Sequence, residues 1–202
     1  VTDFHTRLGA DERLYAKYKA VAASPQASAL SVARRKALAD ALRDFVLGGA
    51  ELRGVARERF AEVQERLAEL SRSFGEHVLD ATDGYTLYVS EAELDGVPAD
   101  VVEAARAAAA ADGREGHKLT LQGPSFIPVL QYASNRSLRQ TIYTAHATRA
   151  SEFGPPALDN SALMVELLAL RHEEAALLGH ASYAHLSLVP KMAGSPAEVT
   201  DF

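Results

Sequence analysis

The sequence predicts a mainly α fold: a multi-helix bundle with a long helical hairpin and a small two-stranded β ribbon. Three observations carry this expectation. Apolar residues step by three and four through Phe60, Val63, Leu67, Leu70, Phe74 and Val78, and recur densely from Leu163 to Leu178, the pattern of helix faces. Start and stop signals bracket such runs, with Asn135 and Asp159-Asn160-Ser161 as N-caps and Gly48-Gly49 and Gly179 as C-caps. Only residues 85–89 and 117–121 have the β-branched and aromatic content of strands.

Taken in order, Leu8, Tyr15 and Tyr18 give the first segment a weak helical signal, which Ser24-Pro25 breaks. The spacing of Leu30, Ala33, Ala37, Leu38, Leu42, Phe45 and Val46 predicts a helix over 27–47. A second, over 55–79, would span roughly 37 Å, with Glu62 and Arg66 paired on its wet face. Together they form an antiparallel hairpin. It reads as two helices of one bundle rather than a coiled-coil partner surface, because its seam lasts only about three heptads.

The strand-like runs 85–89 and 117–121 pair as the ribbon. Between them, Pro98 near the start and the alanines at 107–111 predict a helix over 98–111. Helices follow over 126–133, with Pro128 in the first turn, and from Asn135 to Ala150, buried along Leu138, Ile142, Tyr143, Ala147 and Ala150. Gly154-Pro155-Pro156 stops the latter. The helix over 162–178 is apolar nearly all round, which predicts a central place in the bundle. A short helix around 182–188 and a last one opened by the capping box Ser195-Pro196-Ala197-Glu198 complete the chain. Three segments result: a helical hairpin region (1–82), a small α/β insertion (83–122) and a helical bundle (123–202). The last helix is only about two turns long, so the expectation is a fragment of a longer protein, cut at both ends.

Composition removes several function classes. The 202 residues are 48% hydrophobic and 24% charged, an ordinary globular balance. A net charge of −6 argues against general binding to nucleic acid or anionic membrane, since both reward basic patches. The absence of cysteine excludes disulfides, thiol nucleophiles and cysteine-built zinc sites, and fits a cytoplasmic protein. No run approaches the ~20 apolar residues of a spanning helix.

The candidate chemistry is sparse. His172-Glu173-Glu174 begins like H-E-x-x-H, in which two histidines one turn apart hold zinc and the glutamate activates water, but position 176 is alanine. His180 and His185 lie beyond the Gly179 cap, on other elements. His146, His172, His180 and His185 therefore read as structural histidines rather than a metal set. Arg171 is expected to snorkel and pair with a carboxylate of a neighbouring helix; the alternative is that it holds two helices, or two domains, in register. Gly123-Pro124-Ser125 fails as a nucleophile turn, because Ile127 stands where glycine is required.

Several runs resemble one family. They are Leu138-Arg139, Ile142-Tyr143, Thr148-Arg149-Ala150-Ser151, Asp159-Asn160-Ser161, Leu170-Arg171-His172-Glu173, Leu177-Leu178-Gly179 and Lys191-Met192-Ala193 with Ser195-Pro196. Upstream, Arg66-Leu67-Ala68, Leu70-Ser71, Val78-Leu79-Asp80-Ala81-Thr82 and Pro124-Ser125-Phe126 agree. The pattern is similar to the thimet oligopeptidase or oligopeptidase A-like zinc metallopeptidases, over nearly the whole chain. His180, where the family tends to have an aromatic, and His185 depart from it. The resemblance implies the amino-side helical region, one wall of a substrate channel for short peptides. The family's zinc, its ligands and its general base would then belong to a carboxy-side catalytic domain beyond Phe202. On that expectation this chain carries no catalytic, metal or cofactor residue, and alone is inactive. The alternative is a non-enzymatic helical scaffold that binds a partner through the exposed side of the hairpin.

Overall fold

The computed structural model describes Phe4 and residues 8–202; the rest of the polar opening stretch lies outside the described residues. The helices are α1 (Glu12–Ala22), α2 (Val32–Leu47), α3 (Gly54–Asp83), α4 (Ala99–Ala111), α5 (Gly123–Tyr132), α6 (Arg136–Ala147), α7 (Ser161–Leu177), α8 (Tyr183–Leu188) and α9 (Pro196–Asp201). Strands β1 (Leu87–Val89) and β2 (His117–Leu119) pair antiparallel, with Leu87 opposite Leu119 and Val89 opposite His117. The mainly α class and the ribbon are as the sequence predicts. Contacts group the chain into two units. One joins residues up to Ser71 with Val165–Phe202, and the other is Arg72–Met164.

In the first unit, the Asp11 carboxylate caps α1 by accepting from the amides of Arg13 and Leu14 at 2.9 and 3.1 Å. Helix α1 packs on α2. The rings of Tyr15 and Tyr18 lie 5.5 and 5.3 Å from that of Phe45. The two tyrosines behind the weak helical signal are thus the anchor of this pair. Tyr15 also donates its hydroxyl to Glu51 at 2.7 Å. Helix α2 starts at Val32, five residues later than expected. The Ser31 hydroxyl caps it by accepting from the Arg34 amide, Leu30 is extended, and Pro25–Ala29 forms a separate 3₁₀ turn. Helix α3 is longer than expected: its thirty residues amount to about 45 Å of helix.

The second unit is built on the ribbon. Val89, Leu94, Ala105, Leu119, Leu121, Phe126, Val129, Ala133, Leu138 and Ile142 form its core. Ala105 and Ala109 face inward, and α4 lies against β2, so the alanine run serves close approach as well as helix propensity. Glu93 accepts from the amide and hydroxyl of Ser90, both at 2.8 Å, and fixes the 3₁₀ turn Glu91–Leu94. Gly96 then passes against the end of α5. It has φ +87°, and a β-carbon there would lie 2.4 Å from the Tyr132 carbonyl oxygen.

Helix α5 begins at Gly123, three residues before the expected start, so Pro124 occupies its first turn and Pro128 its interior. Ser125, the rejected nucleophile, accepts a hydrogen bond from the Thr120 amide at 3.0 Å. Asn135 caps α6 as expected, accepting from the Leu138 amide at 3.2 Å. The helix ends at Ala147 rather than Ala150, because Ala150 turns into the left-handed region at φ 51°. Tyr143, expected on the buried side, is 59% exposed. Asn160 is 1% exposed. Its side chain donates to the Phe74 carbonyl of α3 at 3.2 Å and contacts His77 Nδ1 at 2.8 Å. Since its amide nitrogen is the donor to Phe74, its oxygen faces His77, which must therefore donate from Nδ1. His117 is also buried, and its Nδ1 has no hydrogen-bond partner among the described residues.

One expectation about α7 needs correction. Leu167, Leu170 and Ala175 are buried, but Val165 and Leu168 are 71% and 65% exposed. The helix keeps one face inward and turns an apolar stripe outward. Composition alone does not tell such a helix from one buried on all sides.

Candidate functional site

The polar strip of α7 is where the sequence suggests chemistry, and both of its carboxylates are already engaged. Glu173 accepts two hydrogen bonds from Arg59 of α3, from Nε at 2.6 Å and Nη2 at 2.9 Å. Glu174 accepts from the Gln64 amide at 2.8 Å. One heptad earlier on α7, Glu166 takes the same bidentate pair from Arg66, at 2.6 and 2.8 Å. Each arginine also holds a carboxylate on its own helix, Glu62 for Arg59 and Glu69 for Arg66. Arg59 meets Glu173 and Arg66 meets Glu166, so α3 and α7 run antiparallel at this seam and the rungs are seven residues apart on both.

Two expectations change here. Glu62 and Arg66 do not pair, because Arg66 reaches across to Glu166 instead. Among the described residues Arg171 pairs with no carboxylate; its guanidinium lies 5.0 Å from the centre of the Tyr183 ring. The register-holding role, the alternative for Arg171, falls to Arg59 and Arg66. The signal is present in the sequence, as the equal seven-residue spacing of Arg59 and Arg66 and of Glu166 and Glu173. It gives no information on which helix faces which, and that is fixed only by the tertiary fold.

The carboxylates beside Arg59 and Arg66 hold both guanidinium groups above their ordinary range, and the arginines pull Glu166 and Glu173 below the ordinary carboxylate value. A depressed folded-state pKa adds stability that is complete above the unfolded value of 4.5 and is lost as pH falls through the folded one. These groups are near 40% exposed, so solvent screens them. We expect Arg59→Gln to lower Tm by about 2 °C at pH 7. The difference from wild type should shrink at pH 3 and in 1 M salt. An equal Tm difference under all three conditions would show that the ladder contributes no charge-dependent stability.

The histidines do not assemble. His172 is exposed on α7. His185 Nδ1 contacts the Ser182 hydroxyl at 2.8 Å, within the cap of α8. The His180 amide closes the end of α7 on the Ala175 carbonyl at 2.8 Å. In the other unit, His146 stacks on Phe126 at 4.0 Å, and burial beside the Arg149 charge pushes its pKa down. Among the described residues no three His, Asp or Glu side chains converge as a metal would need.

Residues 129–202 match the profile of Peptidase family M3. The whole chain aligns at 45% identity with oligopeptidase A of Salmonella typhimurium and at 44% with oligopeptidase A of Escherichia coli. The chain is thus similar to peptidase family M3 over residues 129–202 and to oligopeptidase A along its whole length. A probable cytosolic oligopeptidase A of Arabidopsis thaliana is 37% identical over 94% of the chain. The chain spans about 30% of the length of the two bacterial relatives. The zinc ion that the family resemblance implies does not fit the strip on α7: Glu173 is held by Arg59, Glu174 by Gln64, and Ala176 stands one turn after His172. No helix among the described residues is long and apolar enough to cross a membrane.

Proposed function

We propose that this chain is the amino-side, non-catalytic part of a zinc-dependent oligopeptidase of family M3 that hydrolyses short peptides in the cytoplasm. The observation that carries this reading is the alignment of the entire chain with under a third of each oligopeptidase A, at 43–45% identity in three bacterial relatives. In this reading the chain forms one wall of the substrate channel, and the catalytic residues and the zinc ligands lie in a carboxy-side domain. The outward stripe of Val165 and Leu168 supports the reading, since soluble monomers rarely leave contiguous large apolar side chains in water and a further domain would cover them.

The test uses a quenched fluorescent peptide. The longer protein containing this chain should cleave it, and a chelator should abolish the cleavage. The 202-residue chain alone should be inactive, and a chelator should leave its Tm unchanged. Chelator-sensitive cleavage by the chain alone would overturn the proposal, and so would a longer protein that cleaves no peptide.

A further inference from the structure

A second feature lies wholly within the Arg72–Met164 unit and is not used by the ladder. Between Glu115 and Glu152 the sequence contains no aspartate or glutamate, although the chain as a whole carries a net charge of −6. The cations of this interval include Arg136 and Arg139, and they line a cleft of about 490 Å³ with Leu130, Gln140 and Tyr143. Arg136, Arg139, Gln140 and Tyr143 fall at i, i+3, i+4 and i+7 of α6, one face of the helix. Leu138 and Ile142 occupy the opposite face and fill the core.

The two guanidinium groups differ from those of the ladder. Neither has a carboxylate partner among the described residues. Arg139 donates from Nη1 to the carbonyl oxygens of Ala133 and Ser134, which anchors its head against the α5–α6 turn. Its Nη2 and Nε remain available, already oriented, so binding through them costs little further ordering. Arg136 is exposed at the mouth and has no partner among the described residues. Beside them, Leu130 and the exposed Tyr143 ring offer apolar and aromatic surface, and Gln140 adds an amide. The volume suits a fragment-sized ligand rather than a folded surface.

We propose that this cleft is a subsite for a peptide carboxylate flanked by an apolar side chain, with Arg136 and Arg139 taking the carboxylate and Leu130 and Tyr143 the side chain. The charge would be taken by forked donors, which match a carboxylate's two oxygens. The proposal rests on the peptidase reading above for its choice of ligand, but its test is direct binding. A longer protein that cleaves peptides while this cleft ignores carboxylates would remove the subsite alone. Carboxylate binding here without any cleavage would remove only the peptidase reading.

The probe is an acetylated tripeptide ending in leucine, titrated into the 202-residue chain and followed by amide chemical shifts. Three forms are compared: the free acid, its C-terminal amide, and an amide carrying an internal glutamate. The free acid should bind about fivefold more tightly than the plain amide, with shifts centred on 136–143. Arg136→Gln should reduce the acid to the level of the amide. Tyr143→Ala should weaken both. Arg149→Gln, outside the cleft, should change neither. Arg139 is left intact because its substitution would also release the turn. Tight binding of the glutamate-bearing amide would support the carboxylate site and assign its source to a side chain. Equal binding of acid and plain amide, or equal loss with Arg149→Gln, or no binding at all, would overturn the subsite.

Discussion

Gly96→Ala should be the most damaging single methyl addition in the Arg72–Met164 unit. Two costs act together at this position. At φ +87° an L-residue is strained, by about 1–3 kcal/mol. The added β-carbon would also sit 2.4 Å from the Tyr132 carbonyl oxygen and 3.0 Å from the Ser134 hydroxyl. The first neighbour is backbone at the end of α5, so relief requires moving that helix end or the turn after Glu91–Leu94. Overpacking of this kind costs a further 1–3 kcal/mol or so. A total of about 3 kcal/mol corresponds to a Tm lowered by roughly 6–12 °C. Gly113→Ala separates the two terms. Gly113 also has positive φ, at +69°, but nothing lies within 4 Å of the place a methyl group would take. It should lose only the strain, about 1 kcal/mol. Thermal unfolding of both variants checks this, and equal shifts would show that the close approach at Gly96 is relieved without cost.

Asn160→Leu should lower stability by about 2–3 kcal/mol, or Tm by roughly 5–10 °C. Leucine fills a similar volume, so the loss is polar rather than a cavity. It removes the only acceptor shown for the His77 Nδ1 proton and the donor to the carbonyl of Phe74, both half-buried residues. The Phe74 oxygen lies within α3, so the greater part of the cost falls on His77. A double-mutant cycle with His77→Ala follows from this. The pair should couple by about 1 kcal/mol, and the double variant should be less impaired than the sum of the single ones. Additive losses would place the cost elsewhere, and a Tm within 1 °C of wild type for Asn160→Leu would remove the structural role.

These two positions also mark how far the sequence alone leads. Helices with a clean apolar period and a recognisable cap are legible, as with Asn135 before α6 and the ribbon strands around the alanine helix. In the sequence, Asn160 is one of three adjacent capping residues. Asp159 accepts from the Ser161 amide at 2.9 Å in a turn that leads into α7, while the Asn160 side chain turns inward to α3. Local spacing cannot separate the two, because the choice depends on a helix more than eighty residues away. Gly96 carries no distinguishing pattern, since what it approaches is backbone from another element. The same limit applies to the strip on α7. Its residue types suggest a metal or an arginine clasp, yet the partners that define it, Arg59, Gln64 and Arg66, come from α3. The cleft on α6 is only partly visible. Its arginines stand out as the cations of their helix, but the sequence does not show that they lack partners.

The ladder between α3 and α7 also works as a counting device. Repeating charges on antiparallel helices are prone to slide by one repeat, because each rung looks like the next. Here there are only two rungs. A slide of seven residues would set Arg66 against Glu173 and leave Arg59 facing His180, so half of the bidentate pairs would disappear. A ladder this short therefore loses half of its pairs in that slide, where a longer and more regular one would lose only a small fraction.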